Sequence, residues 1–234
     1  MPAKVTCKVI SNVHVTPTVF ILSFTSEPGF EFKAGQFISI IIPGAGPNGR
    51  DLRRAYSIAS APETNPVELC VKLVENGPGT NYLHSLKPGD EFNGLAPYGN
   101  FTYVTPSEKT AVFISTGTGI APFRSMIRSG VYQSNPPQRS IFLFGVRHEE
   151  ELLYHDELSA NEHVEWIPTV SRPTKETSLF KGRVTDYLRA NPEFIDWMGS
   201  EYYLCGSGDM IKEIKEILSS HGVTKEAIHQ EKYY

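Results

Sequence analysis

The chain has 234 residues, 40% of them hydrophobic and 21% charged, an ordinary globular balance that suggests one large domain or two small ones. A formal net charge of −4 argues against a general nucleic-acid binder, which needs a basic surface. No apolar run reaches the roughly 18 to 20 residues of a membrane span, and the opening MPAKVTCKVI lacks a charged-then-apolar secretory pattern, so the cytoplasm is the expected compartment. Residues 1–105 read as strands. FILSF and VELCVKLV alternate apolar and other residues, and GQFISIIIP is a β-branched run. Pro and Gly punctuate this half, and only TNYLHSL suits a short helix, so a closed antiparallel β-barrel is expected. Near TPSEKTAVFIS the period changes. AVFIS, SIFLFGV, VEWIPTV and YYLCG alternate with the helical segments APFRSMIRSG, ELLYHDELSA, RVTDYLRA and DMIKEIKEILSSHG, before a last segment, EAIHQEKYY. This predicts an α/β domain over residues 106–234 with an open, parallel, five-stranded sheet covered on both faces.

Cys7, Cys70 and Cys205 are few, odd in number and far apart. They fit a reducing compartment and exclude a self-contained plant-type [2Fe–2S] centre, which needs four clustered cysteines. The seven histidines are scattered without an HExxH pair, so no zinc site is expected.

Several short stretches carry chemistry. In RRAYS, Arg54 offers a planar fork of donors for a phosphate, Tyr56 a ring for a flat heterocycle, and Ser57 a hydroxyl for its edge. Taken alone, the stretch is equally a charged strand end. In VENGPGTNYLH, Gly77 and Gly79 permit close backbone approach, and Thr80 or Asn81 is positioned to cap a short helix whose N-terminus suits an anion. An ordinary turn and cap explains it as well. FISTGTGIAPFRSM takes a buried strand through Thr116, Gly117, Thr118 and Gly119 into a helix, the context of a dinucleotide site, though neither GxGxxG nor a Walker loop. In YYLCGSGDM, Cys205 ends a strand at the ligand-binding edge expected of such a sheet. GSG does not match a GxSxG nucleophile elbow, which disfavours a hydrolase. Arg147, Arg172 and Arg183 are read as following successive strands and would line an anion pocket if the second, third and fourth parallel elements bring them to one edge. The terminal EKYY is by itself a frayed tail or a ring for a flat cofactor.

In this order, RAYS, GPGT, GTGIAPFR, CGSGDM and the aromatic terminus, extended by FKAGQF at 32–37, resemble the ferredoxin–NADP(H) reductase superfamily. The resemblance implies an FAD-binding barrel followed by an NAD(P)H-binding α/β domain. Arg54, Gly79 and Thr80 would hold the FAD phosphates, with Tyr56 against the isoalloxazine and Ser57 near its N5. Thr118, Gly119 and the adjoining Thr116 and Gly117 would receive the nucleotide pyrophosphate. Cys205, with Gly206 and Met210 beside it, would stand at the nicotinamide. Glu231 resembles the family's acidic residue near the C-terminus, and either Tyr233 or Tyr234 would cover the flavin. SRP, holding Ser171 and Arg172, resembles the clamp on a 2′-phosphate, with Arg183 and Arg147 as further clamps. NADPH is therefore expected as the donor rather than NADH. Without an iron–sulfur domain, the acceptor would be a separate carrier: ferredoxin, flavodoxin or the Rieske-type ferredoxin of an oxygenase. An NAD(P)H:flavin reductase is the nearest rival, disfavoured by GPGT. An NADH-dependent reductase component of an oxygenase system and a non-catalytic flavin-anchoring subunit are further alternatives.

Overall fold

The computed structural model describes residues 2–104 and 108–233. By their contacts these form two compact units: residues up to Tyr103 joined by Ala121–Gln133, and Val104–Ile120 joined by the residues from Ser134 onward. The boundary expected between 105 and 106 lies outside the described residues.

The first unit contains β1 (Ala3–Thr16), β2 (Val19–Glu27), β3 (Phe37–Ile42), β4 (Leu52–Ser57), β5 (Val67–Lys72) and β6 (Glu91–Tyr98). They pair antiparallel in the order β4-β3-β6-β1-β2-β5, and a bridge between Ile58 and Leu69 closes this order into a barrel. The alternation read from the sequence has a direct physical result. Phe20, Leu22 and Phe24 of β2 turn inward and meet Val5, Cys7 and Val9 of β1, Ile38 and Ile40 of β3, and Phe92 of β6 in one core. Their intervening neighbours face outward. Truncating Phe20, which is fully buried, would cost roughly 3–5 kcal/mol through lost burial and the cavity left behind.

Helix α1 (Pro78–Ser85) follows β5. Neither Thr80 nor Asn81 caps it. Gly77 is the N-cap and Pro78 opens the first turn, because the fixed φ of proline and its missing N–H suit that position. Thr80 lies inside that turn, and its hydroxyl accepts from the Val74 N–H (3.1 Å) and donates to the Gly77 carbonyl (3.2 Å). At the other end, the Asn12 amide of β1 donates to the carbonyls of Leu83 (3.0 Å) and Leu86 (2.9 Å), satisfying acceptors that the helix leaves open.

Helices α2 (Ala121–Arg128) and α3 (Gly130–Ser134) come next along the chain. The alternating pattern assigned this segment to the parallel sheet, but Ala121–Gln133 groups with the first unit. Polar anchors explain the difference. Buried Arg124 donates to the Ala59 carbonyl (3.1 Å) and pairs with Glu68 (2.7 Å), while Ser125 donates to the Ser60 carbonyl (2.7 Å).

The second unit contains β7 (Thr110–Thr116), β8 (Arg139–Val146), β9 (Glu165–Val170), β10 (Phe180–Lys181), β11 (Ser200–Ser207) and β12 (Ile228–Tyr233), with helices α4 (His155–Ser159), α5 (Val184–Ala190) and α6 (Gly208–Ser220). All pairings are parallel, in the order β10-β9-β8-β7-β11-β12. The sheet therefore has six strands where five were expected. The additional one, β10, has two residues, too few to carry a readable period. Val112, Phe113 and Ile114 of β7 and Ile141 to Phe144 of β8 are all fully buried, as expected for a parallel sheet covered on both faces. Helix α6 presents Met210, Ile214, Ile217 and Leu218 to this core, residues whose spacing puts them on one helical face.

At the amino edge of the sheet, Glu201 is bound by Lys109 (2.7 Å) and His229 (2.9 Å). Burial pushes its carboxyl up, but hydrogen bonds from both partners outweigh that and hold it below the ordinary carboxylate range.

Candidate functional site

The expected site residues fall in two places, one in each unit. In the first unit, β4 pairs with β3 so that Arg54 lies opposite Ile40, Tyr56 opposite Ile38 and Ser57 opposite Phe37. Arg54 is exposed and donates to the Arg53 carbonyl (2.9 Å), Tyr56 is half-buried, and Ser57 is buried. Helix α1 brings its first turn against this strand. A Cβ on Gly79 would lie 2.6 Å from the Tyr56 hydroxyl and 3.0 Å from the Arg54 Cγ. RAYS and GPGT, more than twenty positions apart in sequence, are thus packed together because residue 79 has no side chain. Burial pushes the Tyr56 phenol up to about 12, with the Arg54 charge opposing, so the ring is neutral at physiological pH. An exposed guanidinium, a flat neutral ring and backbone N–H groups at a helix start fit a phosphorylated aromatic cofactor.

In the second unit the strand order reverses between β7 and β11, the position where open α/β sheets bind ligands beyond their carboxyl ends. Thr116 ends β7, and the turn runs through Gly117, whose φ is +54°, to Thr118 and Gly119. A Cβ on Gly119 would lie 2.4 Å from the Cys205 carbonyl oxygen, so this turn is pressed against β11 backbone to backbone. The Thr116 hydroxyl meets the Met210 sulfur (3.4 Å), and a Cβ on Gly206 would strike that same hydroxyl at 2.8 Å. Ser207 caps α6 by accepting from the Met210 N–H (3.3 Å).

Cys205 is fully buried, in register with Ser115 of β7 and Glu231 of β12. Burial raises its thiol pKa, the Glu231 charge raises it further, and a hydrogen bond with Tyr233 opposes both; the net shift is upward, so the group is a neutral thiol. Tyr233 also donates through its hydroxyl to the Thr118 carbonyl (3.4 Å), tying the chain's last strand to the 117–119 turn. Tyr234 lies outside the described residues.

The arginines converge as far as backbone placement goes. Arg147 follows β8 directly, Arg172 comes two residues after β9, and Arg183 two after β10, three neighbouring parallel strands. The Ser171 and Arg172 N–H groups donate to the Val146 and Arg147 carbonyls (3.0 and 2.8 Å), which holds the first two loops side by side. All three arginine side chains are exposed, and among the described residues none forms an ion pair with a carboxylate. Three buried hydroxyls, on Ser115, Thr169 and Thr185, have no hydrogen-bond partner among the described residues. They sit at the ends of β7 and β9 and in the first turn of α5, so this edge holds unsatisfied polar groups. The edge suits a polar, multiply charged ligand.

Sequence reasoning missed Arg124 and Asn12, the residues that anchor α2 and close α1. The signal for Arg124 was present: a lone cation amid APFRSMI, where every other residue is apolar, small or a short alcohol, must bring its partner with it when buried. For Asn12 nothing local announces a partner more than 70 positions away.

The comparisons agree with this two-part geometry. Residues 6–103 match the model of an oxidoreductase FAD-binding domain, and residues 113–216 that of an oxidoreductase NAD-binding domain. The chain is 33% identical over 234 residues to ferredoxin–NADP reductase B of Sorangium cellulosum, covering 94% of this chain and 93% of that relative. It is 29% identical over 230 residues to the reductase component of phenol 2-monooxygenase from Pseudomonas sp. strain CF600, covering 95% of this chain and 63% of the relative. A crystal structure of a ferredoxin NADP+ reductase from Neisseria gonorrhoeae with bound FAD and NADP shares the fold, at a TM-score of 0.86 and 24% identity over 99% of this chain and 100% of the other. The barrel with its Arg54–Tyr56–Gly79 cradle, the parallel sheet with its glycine turn, and both family models lead to one assignment: the chain belongs to the ferredoxin–NADP(H) reductase superfamily of FAD-dependent oxidoreductases.

Proposed function

We propose that the protein takes hydride from NADPH and passes electrons singly to a small, separate carrier protein, with ferredoxin or flavodoxin the leading class. When bound, FAD supplies the redox chemistry, accepting hydride from the nicotinamide and releasing its electrons one at a time. The chain's residues bind and orient. Arg54, Gly79 and Thr80 would hold the FAD phosphates, with Tyr56 as a neutral stacking surface and Ser57 as a hydrogen-bonding edge. Thr116, Gly117, Thr118 and Gly119 would receive the nucleotide pyrophosphate. Gly206 and Met210 would shape the wall beside Cys205, whose neutral thiol would offer bulk and polarizability at the nicotinamide rather than a nucleophile. Nucleotide binding at the turn would displace the Tyr233 hydroxyl from Thr118, and Glu231 would keep the chain end in register beside Cys205.

The observation that carries the choice of NADPH is the row of Arg147, Ser171, Arg172 and Arg183 beyond adjacent parallel strands, with cations that pair with no carboxylate among the described residues. A 2′-phosphate is the group on which NADPH and NADH differ, and planar guanidinium groups recognise it in two-point fashion. The test is kcat/KM for NADPH against NADH in the wild type and in Arg172→Ala. A wild-type preference for NADH contradicts the assignment.

A second reading, delivery of electrons to an oxygenase through a Rieske-type ferredoxin, draws on the likeness to the phenol 2-monooxygenase reductase component. Reduction rates with purified ferredoxin, flavodoxin and Rieske-type ferredoxin as competing acceptors separate the two.

A further inference from the structure

Strand β1 and helix α1 meet at two histidines that play no part in the proposed reaction. His14 Nε2 and His84 Nε2 are 2.8 Å apart, and the rings lie edge to face with centroids separated by 5.0 Å. Both rings also contact Phe20, with centroids 5.9 and 5.5 Å from it, and both residues are exposed. The backbone fixes the approach independently of the rings. The Asn12 amide, two residues before His14, donates to the carbonyls on either side of His84 (Leu83 at 3.0 Å, Leu86 at 2.9 Å) and to that of His84 itself (3.3 Å). His14 Nδ1 lies 3.4 Å from the Thr16 carbonyl; an N–H donated there leaves the Nε2 lone pair to accept the His84 Nε2–H, the proton that a metal ion would displace. Metal-binding imidazoles usually have their far nitrogen tethered in this way, which fixes the near one toward the ion.

Two imidazole nitrogens, each about 2.0–2.1 Å from one ion, lie about 2.9 Å apart when they subtend a right angle and about 3.4 Å apart at a tetrahedral angle. The observed 2.8 Å separation matches the right-angled case. We propose that His14 and His84 form a surface chelate for a divalent transition ion of square or octahedral preference, Cu2+ ahead of Ni2+, with tetrahedral Zn2+ the weakest of the three and water completing the shell. The described residues contain no cluster of three or more His, Cys, Asp or Glu, so the site is an exchangeable two-ligand one rather than a structural or catalytic centre. Its spacing in sequence, 70 positions, hides it from any motif. Binding would cross-link β1 to the last turn of the helix whose first turn contains Gly79 and Thr80, and so would stabilise the first unit.

The test uses the FAD-loaded, untagged protein titrated calorimetrically with CuCl2, NiCl2 and ZnCl2, with electron paramagnetic resonance of the Cu2+ sample. The expected result is one saturable site, tightest for Cu2+, with hyperfine structure from two nitrogens and a rise in Tm on metal addition. Affinity should fall about tenfold or more in His14→Ala and likewise in His84→Ala, while His221→Ala leaves it unchanged. His14→Gln and His84→Gln repeat the test with side chains of similar reach, and the flavin spectrum of each metal-free variant reports whether it has folded. No saturable Cu2+ binding, or equal binding in folded variants lacking either histidine, overturns the proposal.

Discussion

In the first unit, Gly79 presses a helix turn against two side chains, the Tyr56 hydroxyl and the Arg54 stem, each of which rotates about its own side-chain bonds. In the second, Gly119 presses a turn against the backbone of Cys205 and Gly206, which does not, while the arginines stand exposed beyond the strand ends. One site is a cradle of side chains closed by a helix. The other is a backbone seam with exposed cations at its margin. Damage should therefore be graded: severe at the seam, intermediate at the cradle and selective at the margin.

The seam gives the largest expected effect. Gly119→Ala puts a methyl group 2.4 Å from the Cys205 carbonyl oxygen, so β7 or β11 must shift. A stability loss of about 2–3 kcal/mol in denaturant melts is expected, with nucleotide-dependent activity lost along with it. A variant that melts and turns over like the wild type would remove the distinction between the two regions. Gly79→Ala asks for a smaller accommodation, because it meets the Tyr56 hydroxyl and the Arg54 stem rather than backbone. The fold should hold, but FAD should be retained about tenfold to a hundredfold less tightly as charge-assisted hydrogen bonds are lost, read from flavin release on dilution. Retention unchanged from the wild type would mean the cradle does not hold the phosphates.

At the margin, Arg172→Ala should lower kcat/KM for NADPH about tenfold to a hundredfold and leave the value for NADH within about threefold, since only the 2′-phosphate contact is lost. Equal losses with both nucleotides would make Arg172 a structural residue. The smallest effect lies at the opposite edge of the same sheet. The Glu201 carboxyl sits below its ordinary value in the folded protein, so its contribution is present above the unfolded value near 4.5 and is lost as pH falls through the folded one. The stability difference between wild type and Glu201→Gln, on the order of 1 kcal/mol, should thus be present at pH 7 and diminish as the pH falls below the unfolded value. A difference that grows on acidification would reverse the sign.

Much of the fold could be read in advance, because burial and period are coupled. Phe20, Leu22 and Phe24 alternate because one face of β2 meets the core, and Val112 to Ile114 run on because both faces of β7 are covered. The strand β10 escaped because two residues have no period, and the cap of α1 was misplaced because Pro78 set the helix start ahead of Thr80. The allegiance of α2 was hidden for a related reason: Arg124 and Ser125 bond to residues 59, 60 and 68, and partners chosen across the fold leave no trace in spacing. Within the candidate site, residue types and order were legible. The contact of Gly79 with Tyr56 and that of Gly119 with Cys205 were not, since both are made by the absence of a side chain between segments distant in sequence.

The most direct test is an anaerobic titration of the purified protein with NADPH, followed by its visible spectrum. A yellow preparation with one FAD per chain, bleached by one equivalent of NADPH and recoloured by a one-electron carrier protein, is the expected result. A colourless preparation, or a yellow one that neither NADPH nor NADH bleaches, would contradict hydride transfer to a retained flavin.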